Sequence, residues 1–139
     1  GELLQSYETL WIPLPGVYRY EWDDNGKGNA GCIWLDEDGG GPIWRVSGYR
    51  SQEGQGEWKA DMSQLKDVET MELQGGKARW GWKEIPNKAE PDEPLRQLLG
   101  EVAAGDTLYV LTVTFSDDEE QEEIYDRLHR MQIRPKLEV

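Results

Sequence analysis

Six carboxylates crowd one stretch of this sequence: Asp117, Asp118, Glu119, Glu120, Glu122 and Glu123 lie within seven positions directly after Ser116. A helix N-terminus gains from one or two acids, because its unpaired amides carry partial positive charge, but further acids repel one another. The run therefore has two readings. One is the solvated start of a capped helix, with Ser116 as N-cap and Glu119 closing the capping box. The other is an electrostatic face that steers and docks a basic protein surface, of an inhibitor, immunity or nucleic-acid-mimic type. The second chemical resource is aromatic. Seven Trp and six Tyr stand in 139 residues, and Tyr18, Tyr20, Trp22, Trp80 and Trp82 are expected to fill a core. Trp22, Trp80 and Trp82 are the candidates for binding anchors wherever such rings surface.

Other patterns resolve into bland chemistry. Gly26-Lys27-Gly28-Asn29-Ala30-Gly31 matches G-x-G-x-x-G. A dinucleotide site needs a helix to open within those glycines, yet Cys32-Ile33-Trp34-Leu35 reads as strand. The acidic turns at Asp23-Asp24-Asn25 and Asp36-Glu37-Asp38 offer oxygen ligands, but Trp34 stands where an EF-hand starting at Asp23 requires Glu. One Cys (Cys32) and one His (His129) cannot complete a closed zinc site of nitrogen and sulfur ligands. Cys32 sits in an apolar strand with no visible basic neighbour to activate it, and His129 stands between Arg127 and Arg130 near a helix end. No Ser, His and Asp arrangement carries a local signature. No catalytic residue, metal or cofactor is expected.

Charge narrows the partner. The formal net charge is -13 and the pI about 4.4. Residues 1–88 carry 15 acids and 10 bases (net -5), and residues 89–139 carry 13 and 5 (net -8), so the field is strongest toward the C-terminus. Such a surface repels phosphate, which argues against direct nucleic-acid binding and against anionic membranes. No apolar run reaches the ~18 residues of a membrane helix and no signal peptide is visible. With a single Cys, a cytoplasmic location is expected.

The elements that must position these residues follow from periodicity. One domain over 1–139 is expected, opening with an N-terminal arm or short helix over 1–16, where Leu3, Leu4, Tyr7, Leu10 and Trp11 have helical spacing. Strands are expected at Val17–Trp22, Cys32–Leu35 and Ile43–Val46, separated by turns, and 47–57 reads as a loop. Gly75-Gly76 should close a hairpin, with Gln74 facing Lys77, Glu72 facing Arg79 and Met71 facing Trp80. Residues 86–94 form a connector. Leu95, Leu98, Leu99, Val102 and Ala103 predict a helix stopped by Gly105. Thr107–Phe115 predicts a central strand covered on both sides, the acidic run a second helix, and Ile133–Val139 a last strand parallel to the central one.

These readings assemble into an α+β fold: an antiparallel, twisted sheet or partly open barrel over about 17–85, joined to a C-terminal helix-strand-helix-strand unit. The expected function is non-catalytic binding of a basic macromolecular partner through the acidic surface. The first alternative is a ligand-binding or hydrolytic domain whose aromatics line a cleft, and a further one is a structural or assembly subunit.

Overall fold

A period of two governs most of the chain, and the computed structural model, which describes residues 2–23, 30–37, 40–51 and 56–135, is correspondingly rich in strands. They are β1 (Leu3–Tyr7), β2 (Leu10–Leu14), β3 (Val17–Asp23), β4 (Ala30–Asp36), β5 (Ile43–Arg50), β6 (Lys66–Leu73), β7 (Gly76–Ile85), β8 (Leu95–Ala104), β9 (Thr107–Phe115) and β10 (Gln132–Ile133). One helix, α1 (Asp118–His129), stands among them. Seven strands form an antiparallel sheet in the order β3-β4-β5-β9-β8-β7-β6, and β1-β2-β10 form a small second sheet. The architecture is mostly antiparallel sheet with one helix, consistent with an α+β twisted sheet.

Pairing registers sort the large sheet into two faces. On the inner face Trp34 pairs with Trp44, Trp44 with Val113, Val113 with Leu98 and Leu98 with Trp82; one row along, Cys32, Val46, Leu111, Gly100 and Trp80 follow the same path. These side chains, with Leu10, Ile12 and Leu14 of β2 and Ile124, Leu128 and Met131 at α1, make one buried cluster. Ile124 and Leu128 are fully covered, and each contributes roughly 1.5–3 kcal/mol by leaving water. They seal the helix onto the sheet. Trp80 also meets the ring edges of Tyr125 and His129.

Several expectations are corrected. Residues 3–14 form the β1–β2 hairpin, not a short helix, because burial alternates at Leu10, Ile12 and Leu14 and Glu8, at φ 52, makes the two-residue turn. The helix expected over 95–103 is strand β8, so the helix-strand-helix-strand unit is absent. Leu95 and Leu99 lie on one face and Leu98 and Val102 on the other, a strand apolar on both sides. Gly105, at φ 60, opens a type II′ turn with Asp106 instead of ending a helix. The final strand is only Gln132–Ile133, antiparallel to β2; residues 136–139 lie outside the described residues.

The Gly75 hairpin exists with a shifted register: Glu72 faces Lys77, Thr70 faces Arg79 and Met71 faces Ala78. Of the two hairpin glycines Gly75 has positive φ and Gly76 does not, so the turn residues are Gln74-Gly75 and the shift, being two residues, preserves the faces. β9 is central as expected, yet only one side is sealed along its whole length. Leu111 and Val113 are buried, whereas on the other side Leu108 is buried but Val110, Thr112 and Thr114 are half-buried. The helix cap also moves by one residue: the Asp117 carboxylate accepts from the Glu120 amide at 2.9 Å, and Glu120 reaches back to the Ser116 amide at 3.2 Å.

Candidate functional site

The outer face of the large sheet is divided. Over β7 and β8 it is closed by the segment 56–65, held by a buried ion pair. Glu101 is 2 % exposed; its Oε1 accepts from Arg79 Nε at 3.0 Å and Nη2 at 2.7 Å, and its Oε2 accepts from the amides of Lys59 at 2.8 Å and Ala60 at 3.0 Å. Arg79 also donates to the Ala60 carbonyl at 2.7 Å, and Trp58 lies against the charged groups of Arg79 and Lys77. Gly81 leaves room for Leu65 and Val68 to cross. Expected opposite Glu72 on a wet face, Arg79 instead anchors a strap. The half-buried apolar run of β8 and the Asp61-Ser63 turn are the sequence signals of this cover, but the Glu101 pairing is tertiary and has no local signature.

Over β3, β4 and β5 no described segment crosses. Tyr18, Tyr20 and Trp22 project there, 56 %, 56 % and 38 % exposed, the reverse of their expected burial. β3 is an edge strand, and its inner side carries Arg19 and Glu21, which bond each other at 3.0 Å while Arg19 also reaches the Ser6 carbonyl of β1. The aromatics are thus turned outward. Registers place Leu35 beside Tyr18, Ile33 beside Tyr20 and Gly31 beside Trp22, then Ile43, Arg45 and Ser47 one strand further. A Cβ on Gly31 would stand 2.3 Å from Trp22 Cζ2 and 2.5 Å from Cη2, so the bare glycine is the shelf on which that ring rests. Trp80 and Trp82 are 1 % and 8 % exposed, part of the core and not available as anchors. The Trp82 indole donates to Asp67 at 2.8 Å. These three tryptophans form no common cleft.

The six acids of the helix start are placed together, but most have intramolecular work. Asp117 and Glu120 cap, Asp118 pairs with Arg96, and Glu123 pairs with Arg127, which also donates to the Pro13 carbonyl at 3.0 Å. Glu119 and Glu122 are exposed, with no ion-pair partner among the described residues. His129 bonds Glu69 at 2.7 Å beside a depression that Gln121, Glu122, Tyr125 and Asp126 also line. Burial, then Asp67 and Glu69, push the Tyr125 hydroxyl above its ordinary range. Burial raises the Cys32 thiol to about 11, which makes it an inert core group. Among the described residues no group of three or more His, Cys, Asp or Glu is arranged to hold a metal ion. The turn at 24–26, the glycine motif up to Asn29 and the end of the second acidic turn at 38–39 lie outside the described residues.

No protein-family model matches this sequence, and no curated protein does. A crystal structure of a protein from Bacteroides thetaiotaomicron VPI-5482 is similar in fold, with a TM-score of 0.57 and 12 % sequence identity; the match covers 92 % of this chain and 46 % of that one. The chain therefore spans about half the length of that protein, and the likeness concerns the fold alone. No helix among the described residues is long and apolar enough to cross a membrane.

Proposed function

We propose that this chain is a non-catalytic binding domain whose working surface is the open outer face at β3–β5, with Trp22 as anchor and Tyr18 and Tyr20 extending it. The observation that carries the reading is the exposure of these three rings on one strand. Large apolar side chains contribute little to folding when left in water, and contiguous apolar patches on a monomer usually serve an interaction. Elsewhere on the same sheet face the chain supplies its own cover, the Glu101-anchored strap. A second reading keeps the expected basic protein partner, docked on Asp117, Asp118, Glu119, Glu120, Glu122 and Glu123. Its support is the pair Glu119 and Glu122, which are exposed and have no ion-pair partner among the described residues.

Two variants separate these readings: Tyr20→Ala/Trp22→Ala and Glu119→Gln/Glu122→Gln, each tested by biolayer interferometry against neutral glycans, peptides and basic proteins. The aromatic pair should abolish whatever binding the parent shows, and the acidic pair should leave it intact. Loss confined to the acidic pair would establish the second reading, and turnover of any bound probe would overturn the non-catalytic assignment.

A further inference from the structure

We infer that the open face at β3–β5 takes an uncharged polysaccharide, a hydroxyl-rich chain whose sugar rings lay their C–H faces on Tyr18, Tyr20 and Trp22; this rests on the reading of that face as the binding surface. Spacing is the first argument. Residues two apart on a strand rise ~6–7 Å, so the three rings make a track of ~13 Å, with Trp22 held in place over Gly31. A row of exposed rings two residues apart on one strand suits a linear polymer that presents an apolar face at regular intervals. A ring already fixed by its shelf loses little freedom on binding.

Charge is the second argument, and it discriminates between classes of ligand. The outer-face positions of β3, β4, β5 and the adjoining β9 include no Asp or Glu and one cation, Arg45, in a chain of net charge -13. A nucleic acid requires several cations along its track to displace counterions, and one arginine in an acidic protein does not provide them. A basic protein would be drawn to the helix start, away from a face without carboxylates. An uncharged polymer meets neither obstacle. Beside the rings, the side chains of Arg45, Ser47 and Thr112 have no hydrogen-bond partner among the described residues, leaving donors and acceptors for sugar hydroxyls. The edge of β3 is a poorer target for strand addition, because Arg19 and Glu21 place charge along it.

The test is native affinity electrophoresis in gels containing hydroxyethylcellulose, amylopectin or galactomannan, with polygalacturonate and heparin as anionic probes. The parent should be retarded by at least one uncharged polymer and by neither polyanion. Retardation should hold between about 50 mM and about 500 mM salt, since no counterions are released. Tyr20→Ala/Trp22→Ala should weaken it about tenfold or more, and Glu119→Gln/Glu122→Gln should not. If the aromatic pair fails to fold, Tyr18→Ala, at the more exposed end of the row, gives a smaller loss in the same direction. Absence of retardation by all three uncharged polymers overturns the inference, while the reading of the face survives if another probe binds in a Trp22-dependent way. Retardation that persists unchanged in the aromatic variants overturns both.

Discussion

Replacing Glu101 by Gln removes one charge and almost no volume, and it should be among the most destabilising isosteric changes in this protein. The parent carboxylate accepts four hydrogen bonds, two from Arg79 and two from the Lys59 and Ala60 amides, at 2.7 to 3.0 Å. An amide has one oxygen and one NH2, so whichever way it turns, a donor faces donors. Arg79, only 19 % exposed at its side chain, is then left without its counter-charge. Hydrogen bonds to charged groups contribute about 1.5–3 kcal/mol each, and removing one partner of a buried pair costs about 3–5 kcal/mol. The expected loss is therefore ~3–5 kcal/mol, on the order of 10–15 °C in Tm. Urea unfolding followed by tryptophan fluorescence measures it, and hydrogen exchange should show the Lys59 and Ala60 amides losing protection. The double change Glu101→Leu/Arg79→Met leaves no charge unpaired but also strips the Lys59 and Ala60 amides and the Ala60 carbonyl of their partners, so it should not restore the parent's stability. A Glu101→Gln protein as stable as the parent, or a double variant as stable as the parent, would refute the clamp.

Three further outcomes follow from the same geometry. Val113→Asp buries a charge at a fully covered position and should abolish cooperative unfolding, whereas Thr112→Asp, on the half-buried outer side of the same strand and opposite Arg45, should leave a folded protein; circular dichroism with urea titration compares them. Asp117→Ala should cost ~0.5–2 kcal/mol and Ser116→Ala less, because the N-cap is Asp117; equal costs in urea would place the cap elsewhere. In alkali, Cys32 and Tyr7 are both protonated more firmly in the fold than in the open chain, the thiol pushed by burial from 9.0 to about 11 and the phenol from 10.0 to about 12. The unfolded chain then binds fewer protons, so stability is full below pH 9 and falls as pH rises, first through the Cys32 window and then through that of Tyr7. Cys32→Ala should delay the onset of this loss toward pH 10 in pH-dependent urea midpoints, and an unchanged onset would contradict it.

The strand of 17–22 was legible because its apolar residues alternate, those of 32–35, 43–46 and 107–115 because they are short runs rich in apolar, aromatic and β-branched residues bounded by turn residues, and Ser116-Asp117 with the acids behind it marked a helix start to within one residue. Two segments misled for a shared reason. In 3–11 and in 95–103, apolar residues fall at helical spacing because both strands, or both faces of one strand, carry them, and periodicity alone does not separate a doubly covered strand from a helix. The Gly105-Asp106 turn signal arbitrates for a hairpin in the second case. For β3 the alternation was read correctly and its side was inverted, since which face of an edge strand is inward depends on β1 packing against Arg19. The Glu101 pairing that anchors the strap has no local signature, because Glu101 stands 22 residues from Arg79 and 41 and 42 from Ala60 and Lys59 and meets them only through the order β8-β7.

The seven tryptophan indole N–H resonances offer the most direct test of the claim that the open face at β3–β5 binds. Trp22 can be identified in a 15N–1H spectrum by its loss in the Trp22→Ala protein. On titration with a soluble oligosaccharide of the uncharged class, the Trp22 indole and the amides of Tyr18, Tyr20 and Arg45 should shift together, with Trp34, Trp80 and Trp82 still. Shifts confined to the amides around Glu119 and Glu122, or to any site with Trp22 unmoved, would contradict the account.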